Sequence, residues 1–338
     1  MKLETKYLGL TLPHPFILGA SPLASNLDRI RHAEDAGVAA ITLHSLFEEQ
    51  VLRYEAGMEA HVYAHEDSFS EAGSYFTKDV DYHYGPEEYL THISRAKEAV
   101  DVPIIASLNG THLGGWSYFA KEIARAGADA LELNLYYLPR VSDESAEIVE
   151  SRLEEIVKSV SESVDLPIAV KLSPFFTSLA HVARRLENAG AKALVLFNRF
   201  YQPDINIEEL EPTPTLKLSD SSELLLRLRW LAVLFGRYQM DLACTGGVHN
   251  RDDALKAIMS GADVLQLVSE LLLNGVDRIG VIRREVENWM EEMEYESLAQ
   301  MRGSMSYCRA PNPEAIERGN YLRILQSWEP GNTLTETQ

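Results

Sequence analysis

Three residue types in this chain stand where chemistry is done. Lys171 follows the apolar run Ile168-Ala169-Val170, Asn134 ends Ala130-Leu131-Glu132-Leu133, and Asn198 follows Ala193-Leu194-Val195-Leu196-Phe197. A lysine at the end of an apolar strand serves as a Schiff-base nucleophile, an anion ligand or a charge stabiliser, or is simply a solvated residue on a rim. An asparagine amide offers a donor and an acceptor to a planar heterocycle or a carboxylate, although a lone one at a strand end is as readily a turn residue. Tyr136 and Tyr137 come just after Asn134. A phenol of pKa ~10 is a poor base at neutral pH, which favours a pocket wall over a proton carrier.

A second stretch, residues 242–269, has the form of an anion site. An apolar strand ends in Cys244-Thr245-Gly246-Gly247-Val248, a helical segment follows, and a second strand ends in Leu267-Val268-Ser269. In a repeating β/α chain, such small-residue strand ends let backbone N–H groups approach a phosphate closely. Other clusters carry less. His61, His65 and His83, with Glu66 and Asp67, match no metal-ligand spacing, so no metal is expected and a solvated acidic loop is the simpler reading. Glu285, Glu287, Glu291, Glu292 and Glu294 read as one solvated helix face.

These groups need elements to position them. Apolar runs at residues 15–21, 38–43, 104–108, 130–134, 168–172, 193–197, 241–243 and 264–267 alternate with helical segments. Asn26 reads as the cap of the first helix, and Pro86 as the first turn of another. Ala20-Ser21, His44-Ser45, Asn109, Asn134, Lys171, Asn198, Gly246-Gly247 and Val268-Ser269 then stand at the eight strand ends. The fold class expected is α/β, a (β/α)8 TIM barrel formed by residues 1–338 as a single domain. The runner-up, an open doubly wound sheet, would be supported by G-x-G-x-x-G after the first strand, which is absent. Residues 47–85 are too long for an ordinary connection and read as a functional loop or lid, and 198–219 as an insertion after strand six.

Composition bounds the partners. In 338 residues, 46% hydrophobic content supplies a substantial core, and a net charge of −20 argues against nucleic acid and against anionic membrane surfaces. The two cysteines, Cys244 and Cys308, have no metal-ligand spacing and are expected to be reduced. The start, Met1-Lys2-Leu3-Glu4-Thr5-Lys6, has no signal-peptide character, and no apolar run is long enough to span a bilayer. A soluble, cytoplasmic protein acting on a small molecule is expected; a homodimer is left open.

Taken together, the motifs resemble the dihydroorotate dehydrogenase family of FMN-dependent barrels. Leu8-Gly9-Leu10 with Leu12-Pro13-His14-Pro15 is similar to the family's opening, Glu132-Leu133-Asn134-Leu135 to its E-l-N-l, Ala169-Val170-Lys171-Leu172 to its v-K-l, and Thr245-Gly246-Gly247-Val248 to its glycine pair after strand seven. The resemblance implies FMN across the barrel mouth, its phosphate on the backbone of Gly246, Gly247, Val268 and Ser269. Ala20 and Ser21 would flank the ring, with His44, Ser45 and Asn109 in the cofactor site, and Lys171 would stand at the N1/O2 edge. Asn134 and Asn198 would bind substrate and ring, with Asn134 counted in the cofactor site as well. The implied reaction is hydride transfer between a dihydroorotate-like substrate and flavin N5, in pyrimidine metabolism and with a soluble acceptor.

The chain also departs from the family. Tyr137 stands where the family has its Cys or Ser base, which makes it a candidate proton carrier, and His44 where the family has a lysine. The substrate-binding loop motif is not recognisable between residues 66 and 85, where Gly73-Ser74-Tyr75-Phe76 stands. The alternatives are a divergent relative that acts on another substrate or only binds flavin, and a barrel using Lys171 as an aldolase-type Schiff base.

Overall fold

The computed structural model describes residues 2–51, 85–110, 115–135, 137–139, 142–199, 204–213, 216–313 and 319–326. The chain opens with an antiparallel hairpin, β1 (Thr5–Tyr7) and β2 (Leu10–Leu12). The repeating part follows as β3 (Phe16–Leu18), α1 (Leu27–Asp35), β4 (Ile41–Phe47), α2 (Pro86–Ala99), β5 (Ile104–Gly110), α3 (Trp116–Arg125), β6 (Ala130–Leu135), α4 (Ala146–Ser161), β7 (Ile168–Leu172), α5 (Leu179–Asn188) and β8 (Ala193–Leu196). After a short hairpin, β9 (Asp204–Asn206) and β10 (Glu211–Thr213), come α6 (Leu224–Leu234), β11 (Asp241–Thr245), α7 (Arg251–Ser260), β12 (Val264–Leu267), α8 (Ser269–Asn274) and α9 (Arg278–Glu292).

Strands β3 to β8, then β11 and β12, pair in parallel in chain order, and β12 returns to β3 with Leu265 opposite Phe16 and Leu267 opposite Leu18. That last pairing makes the sheet a closed (β/α)8 barrel, not an open doubly wound sheet. The strands are short and apolar because a parallel sheet under a helix layer is buried on both faces. The helices turn one stripe inward at helical spacing, such as Tyr89, Ile93 and Ala96 of α2 or Leu153, Ile156, Val157 and Val160 of α4. Asn26, Ser145 and Asn250 each cap a helix by accepting a backbone N–H three residues on.

Three elements differ from the sequence reading. The second barrel strand begins at Ile41 and runs to Phe47, so His44 and Ser45 lie within it; its register with β5 shifts between Thr42 and Ser45. The insertion after β8 carries the β9–β10 hairpin. The N-terminal hairpin was not expected either, because three-residue strands carry almost no periodicity. It closes the barrel floor. Tyr7, Leu8 and Leu12 pack against interior positions made small by Ala130, Ala169, Ala193 and Ala243. Leu8 N–H donates to Asp241 Oδ2 at 2.8 Å and Thr5 Oγ1 to the Asp263 carbonyl at 2.9 Å. Of the expected lid, only residues 47–51 and 85 are among those described.

Candidate functional site

At the carboxyl rim, Asn109, Asn134 and Lys171 are register partners on three adjacent strands, β5, β6 and β7. Strand alternation places Glu132, two residues before Asn134, on the same inner side. Glu132 is wholly buried. Its Oε1 accepts from Lys171 Nζ at 3.2 Å and its Oε2 from Gln266 Nε2 of β12 at 2.7 Å. A carboxylate inside a barrel needs a cation and further donors to be tolerated. The ammonium of Lys171 is committed to that role, and at 6% exposure Lys171 is no solvated rim lysine. Beside it, Asn198 Nδ2 donates to Asn134 Oδ1 at 3.0 Å, joining the two expected amides across the mouth.

The neighbouring strand sends consecutive residues to opposite faces. Ser45 turns inward, its Oγ 2.8 Å from Ser107 Oγ of β5. Tyr89 of α2 fixes that edge by accepting from Ser107 N–H at 2.9 Å and donating to the Ser107 carbonyl at 3.1 Å. His44 turns outward to the helix layer, its ring edge-on to Tyr89 with centroids 5.3 Å apart and 5.7 Å from His92. The structure therefore brings Ser45, and not His44, to the inner face. Burial, and then the nearby His92, push His44 down to about 4. Ahead of β3, His14 is also lowered to about 4, by burial and by Arg283. Its Nδ1 accepts from Phe16 N–H at 3.3 Å, which an imidazolium cannot do.

A pH dependence follows from these two histidines. Between about pH 6.5 and 4 they take up protons in the unfolded chain but not in the fold, so folding stability is intact above that window and falls as pH falls through it. Each contributes up to about 1.4 kcal/mol per pH unit. Urea midpoints at pH 7 and pH 5 check this, and a His14→Gln variant should flatten the slope.

The glycine turn is built as a donor site. Gly246 and Gly247 both have left-handed backbone, φ +81° and +84°. A Cβ on Gly247 would lie 2.6 Å from the backbone nitrogen of Leu224, and one on Gly246 would lie 2.8 Å from Arg227 Nη2. Buried Arg227 puts a positive charge directly behind the turn, held by bonds from Nε to the Thr245 carbonyl (2.8 Å) and from Nη1 to the Glu223 carbonyl (2.7 Å). Gly247 N–H donates to Ser219 Oγ at 3.2 Å, and Ser219 N–H to Ser269 Oγ at 3.1 Å. Gly247 N–H is thus satisfied by Ser219, and it is the left-handed turn with the Arg227 charge behind it that suits an anion. His249 stands beside it, Nε2 3.4 Å from Ser219 Oγ and Nδ1 3.0 Å from Glu270 Oε2, while Arg278 Nε donates to Glu270 Oε1 at 2.8 Å. Val268 closes on Gly19, where a Cβ would lie 2.7 Å from its Cγ2. Close by in the chain, next to half-buried Ala20, the buried Ser21 Oγ has no hydrogen-bond partner among the described residues.

Tyr137 is brought to a different set of groups. Its hydroxyl donates to Glu144, and the Arg152 guanidinium lies 4.6 Å from its ring centroid while donating to Glu144 at 2.9 Å. The Tyr137 hydrogen bond, then that of Arg152, holds the Glu144 carboxyl below its ordinary value. Tyr136 and the three loop histidines lie outside the described residues. Cys244 is fully buried, which pushes its thiol up to about 12 and leaves it no nucleophile, and it is not bonded to Cys308. Glu132, Gln266, Arg227, Ser219 and His249 were not singled out from sequence. For Glu132 a signal exists, since an acid within an apolar strand demands a buried cation and Lys171 is the cation on the next strand.

The fold and site define a (β/α)8 barrel whose rim combines an ion-paired lysine, coupled amides and a glycine turn fitted to an anion. The family description for dihydroorotate dehydrogenase matches residues 83–290. The chain is 27% identical over 223 residues to the catalytic subunit of dihydroorotate dehydrogenase B (NAD(+)) of Methanosarcina mazei, covering 64% of this chain and 69% of that protein. It is 24% identical over 306 residues to the same-named subunit of Thermoplasma volcanium, covering 89% and 97%. The chain belongs to the dihydroorotate dehydrogenase family, whose members are flavin-dependent oxidoreductases acting on CH–CH bonds. The residues present fit such a cofactor: Ser21 Oγ, Lys171 and the asparagine pair suit the polar edge of a flavin ring, and the turn backed by Arg227 suits a phosphate. Among the described residues no helix is long and apolar enough to cross a membrane.

Proposed function

We propose that this protein is an FMN-dependent oxidoreductase of pyrimidine metabolism, acting in the cytoplasm on a small dihydroorotate-like substrate. The observation that carries the reading is the Glu132–Lys171–Gln266 network beside the Asn134–Asn198 pair at the barrel mouth. FMN, when bound, supplies N5 as the hydride acceptor. The backbone of Gly246, Gly247, Val268 and Ser269 holds its phosphate, with Arg227 behind. Ala20, Ser21, Ser45 and Asn109 would hold the ring, with Lys171, whose ammonium also pairs with Glu132, as a further donor to its polar edge. Asn134 and Asn198 hold the substrate. Tyr137 moves the accompanying proton at its hydroxyl, with Glu144 as the hydrogen-bond acceptor that orients it.

Purified protein is expected to show the visible bands of FMN or to acquire them on reconstitution; colourless protein that takes up none ends this reading. Anaerobic dihydroorotate should then bleach the flavin, and Tyr137→Phe should slow that step by about 10²–10⁴-fold. An unchanged rate removes Tyr137 from the mechanism. The engagement of Tyr137 with Glu144 and Arg152 also supports a second reading, a divergent relative that binds FMN but acts on another substrate or on none. Tight FMN binding without reduction by dihydroorotate distinguishes it. The pairing of Lys171 with Glu132 counts against an aldolase-type Schiff base, which borohydride trapping of a carbonyl compound on Lys171 would reveal.

A further inference from the structure

Hydride addition at N5 leaves a flavin ring with one negative charge. The charge of the wall around the ring therefore decides how tightly the reduced cofactor is held relative to the oxidised one. At the level of Lys171 that wall carries, among the described residues, one acid and one base, and they cancel. Glu132 and Lys171 stand on adjacent strands with Oε1 3.2 Å from Nζ, and Gln266 of β12 holds the second carboxylate oxygen at 2.7 Å. Their register partners, Ser107, Ala169, Asn134 and Val195, are all uncharged. Tyr7 of the floor hairpin feels the Glu132 charge, but burial, and then Glu132 itself, push its phenol well above the ordinary range, so it stays neutral. Stability does not require the acid, since a buried ion pair contributes little beyond two neutral groups of similar volume. What Glu132 adds is a fixed negative charge that offsets the Lys171 ammonium beside Asn134.

We propose that Glu132, fixed by Gln266, is a positioning residue that sets the electron affinity of the bound flavin: it anchors and offsets the Lys171 ammonium, and so weakens the site's hold on the reduced, anionic ring. The inference rests on the reading of the mouth as the FMN site with Lys171 at the ring's polar edge. It deepens that reading, because a cofactor tuned in this way favours passing electrons on over holding them. The sign follows from electrostatics. Glu132→Gln keeps the shape of the side chain and an acceptor for Nζ but leaves a net positive charge. That charge attracts the anionic reduced ring and does nothing comparable for the neutral oxidised one.

Equilibrium reduction of the FMN-loaded protein against dyes of known potential measures this. Glu132→Gln should raise the preference for reduced over oxidised FMN at least about tenfold, about 30 mV for a two-electron couple. Sulfite, which adds at N5 and leaves the ring with the same negative charge, should bind this variant tighter by a similar factor. Glu132→Asp withdraws the carboxylate from Lys171 by one methylene, so a smaller shift of the same sign is expected. The aspartate variant decides the matter if the glutamine variant does not fold. A potential and a sulfite affinity that stay unchanged, or move the other way, overturn the proposal. FMN uptake is measured first, by quenching of flavin fluorescence. Protein that takes up none ends the reading of the mouth as a cofactor site and this proposal with it, whereas uptake with an unmoved potential sinks the proposal alone.

Discussion

Replacing Lys171 by methionine should destabilise the fold by about 3–5 kcal/mol, because it leaves the wholly buried Glu132 carboxylate without its cation. Gln266 remains as a donor to Oε2, but a neutral amide does not compensate an ionised group at that depth. The double variant Lys171→Met with Glu132→Gln removes both charges and should recover most of the loss, since a buried ion pair contributes little beyond what two neutral groups of similar volume give. Urea denaturation of the two single variants and the double variant measures this as a thermodynamic cycle. Simple additivity, or a Lys171→Met midpoint equal to that of the unchanged protein, would show that the pair does not bear the charge of the barrel interior.

The second large effect is expected at Gly247. An alanine there meets the Leu224 backbone nitrogen at 2.6 Å and its Cα at 2.8 Å, in a conformation with φ +84° that alanine adopts only at a cost. Neither obstacle is a flexible side-chain end, so the turn itself has to move, and with it the N–H that donates to Ser219 Oγ. Gly247→Ala is expected to weaken FMN binding by about a hundredfold or more, the equivalent of losing two charge-assisted hydrogen bonds. Riboflavin, which has no phosphate, should be affected far less. Quenching of flavin fluorescence on titration gives both constants. An unchanged FMN-to-riboflavin ratio would remove this turn from phosphate binding.

The residues behind these two effects were unequally visible in the sequence. Lys171, Asn134 and Asn198 stood out because each closes a short apolar run, and a barrel collects such ends at one rim whatever the loops do. The helices were legible to within a few residues where Asn26 or Pro86 marked the start. The second strand was read out of phase because Val38-Ala39-Ala40 is as apolar as Ile41-Thr42-Leu43. Composition alone does not say where pairing begins, and the slip displaced His44 and Ser45 from the strand interior to its end. Arg227 and Ser219 were hidden for another reason. Each acts on the turn at Gly246 and Gly247 from an element earlier in the chain, across contacts that no local pattern encodes. Glu132 lay inside the very motif that was noticed, yet its partners Lys171 and Gln266 come from two other strands.

The hairpin that closes the barrel floor has a consequence for synthesis. Leu8 finds its acceptor on Asp241, 233 positions later, and Thr5 bonds to the Asp263 carbonyl, 258 positions later. At ribosomal rates of about 5–20 residues per second, the first dozen residues wait on the order of ten to fifty seconds before those partners emerge. Through that interval Tyr7, Leu8 and Leu12 lack the part of their cover that Ala243 and Val264 supply, and β3 waits equally long for β12. The nascent chain thus carries this apolar hairpin only partly covered until β11 and β12 have been made. Barrel closure and the completion of that cover are one late event, and it is over this interval that a chaperone has most to do.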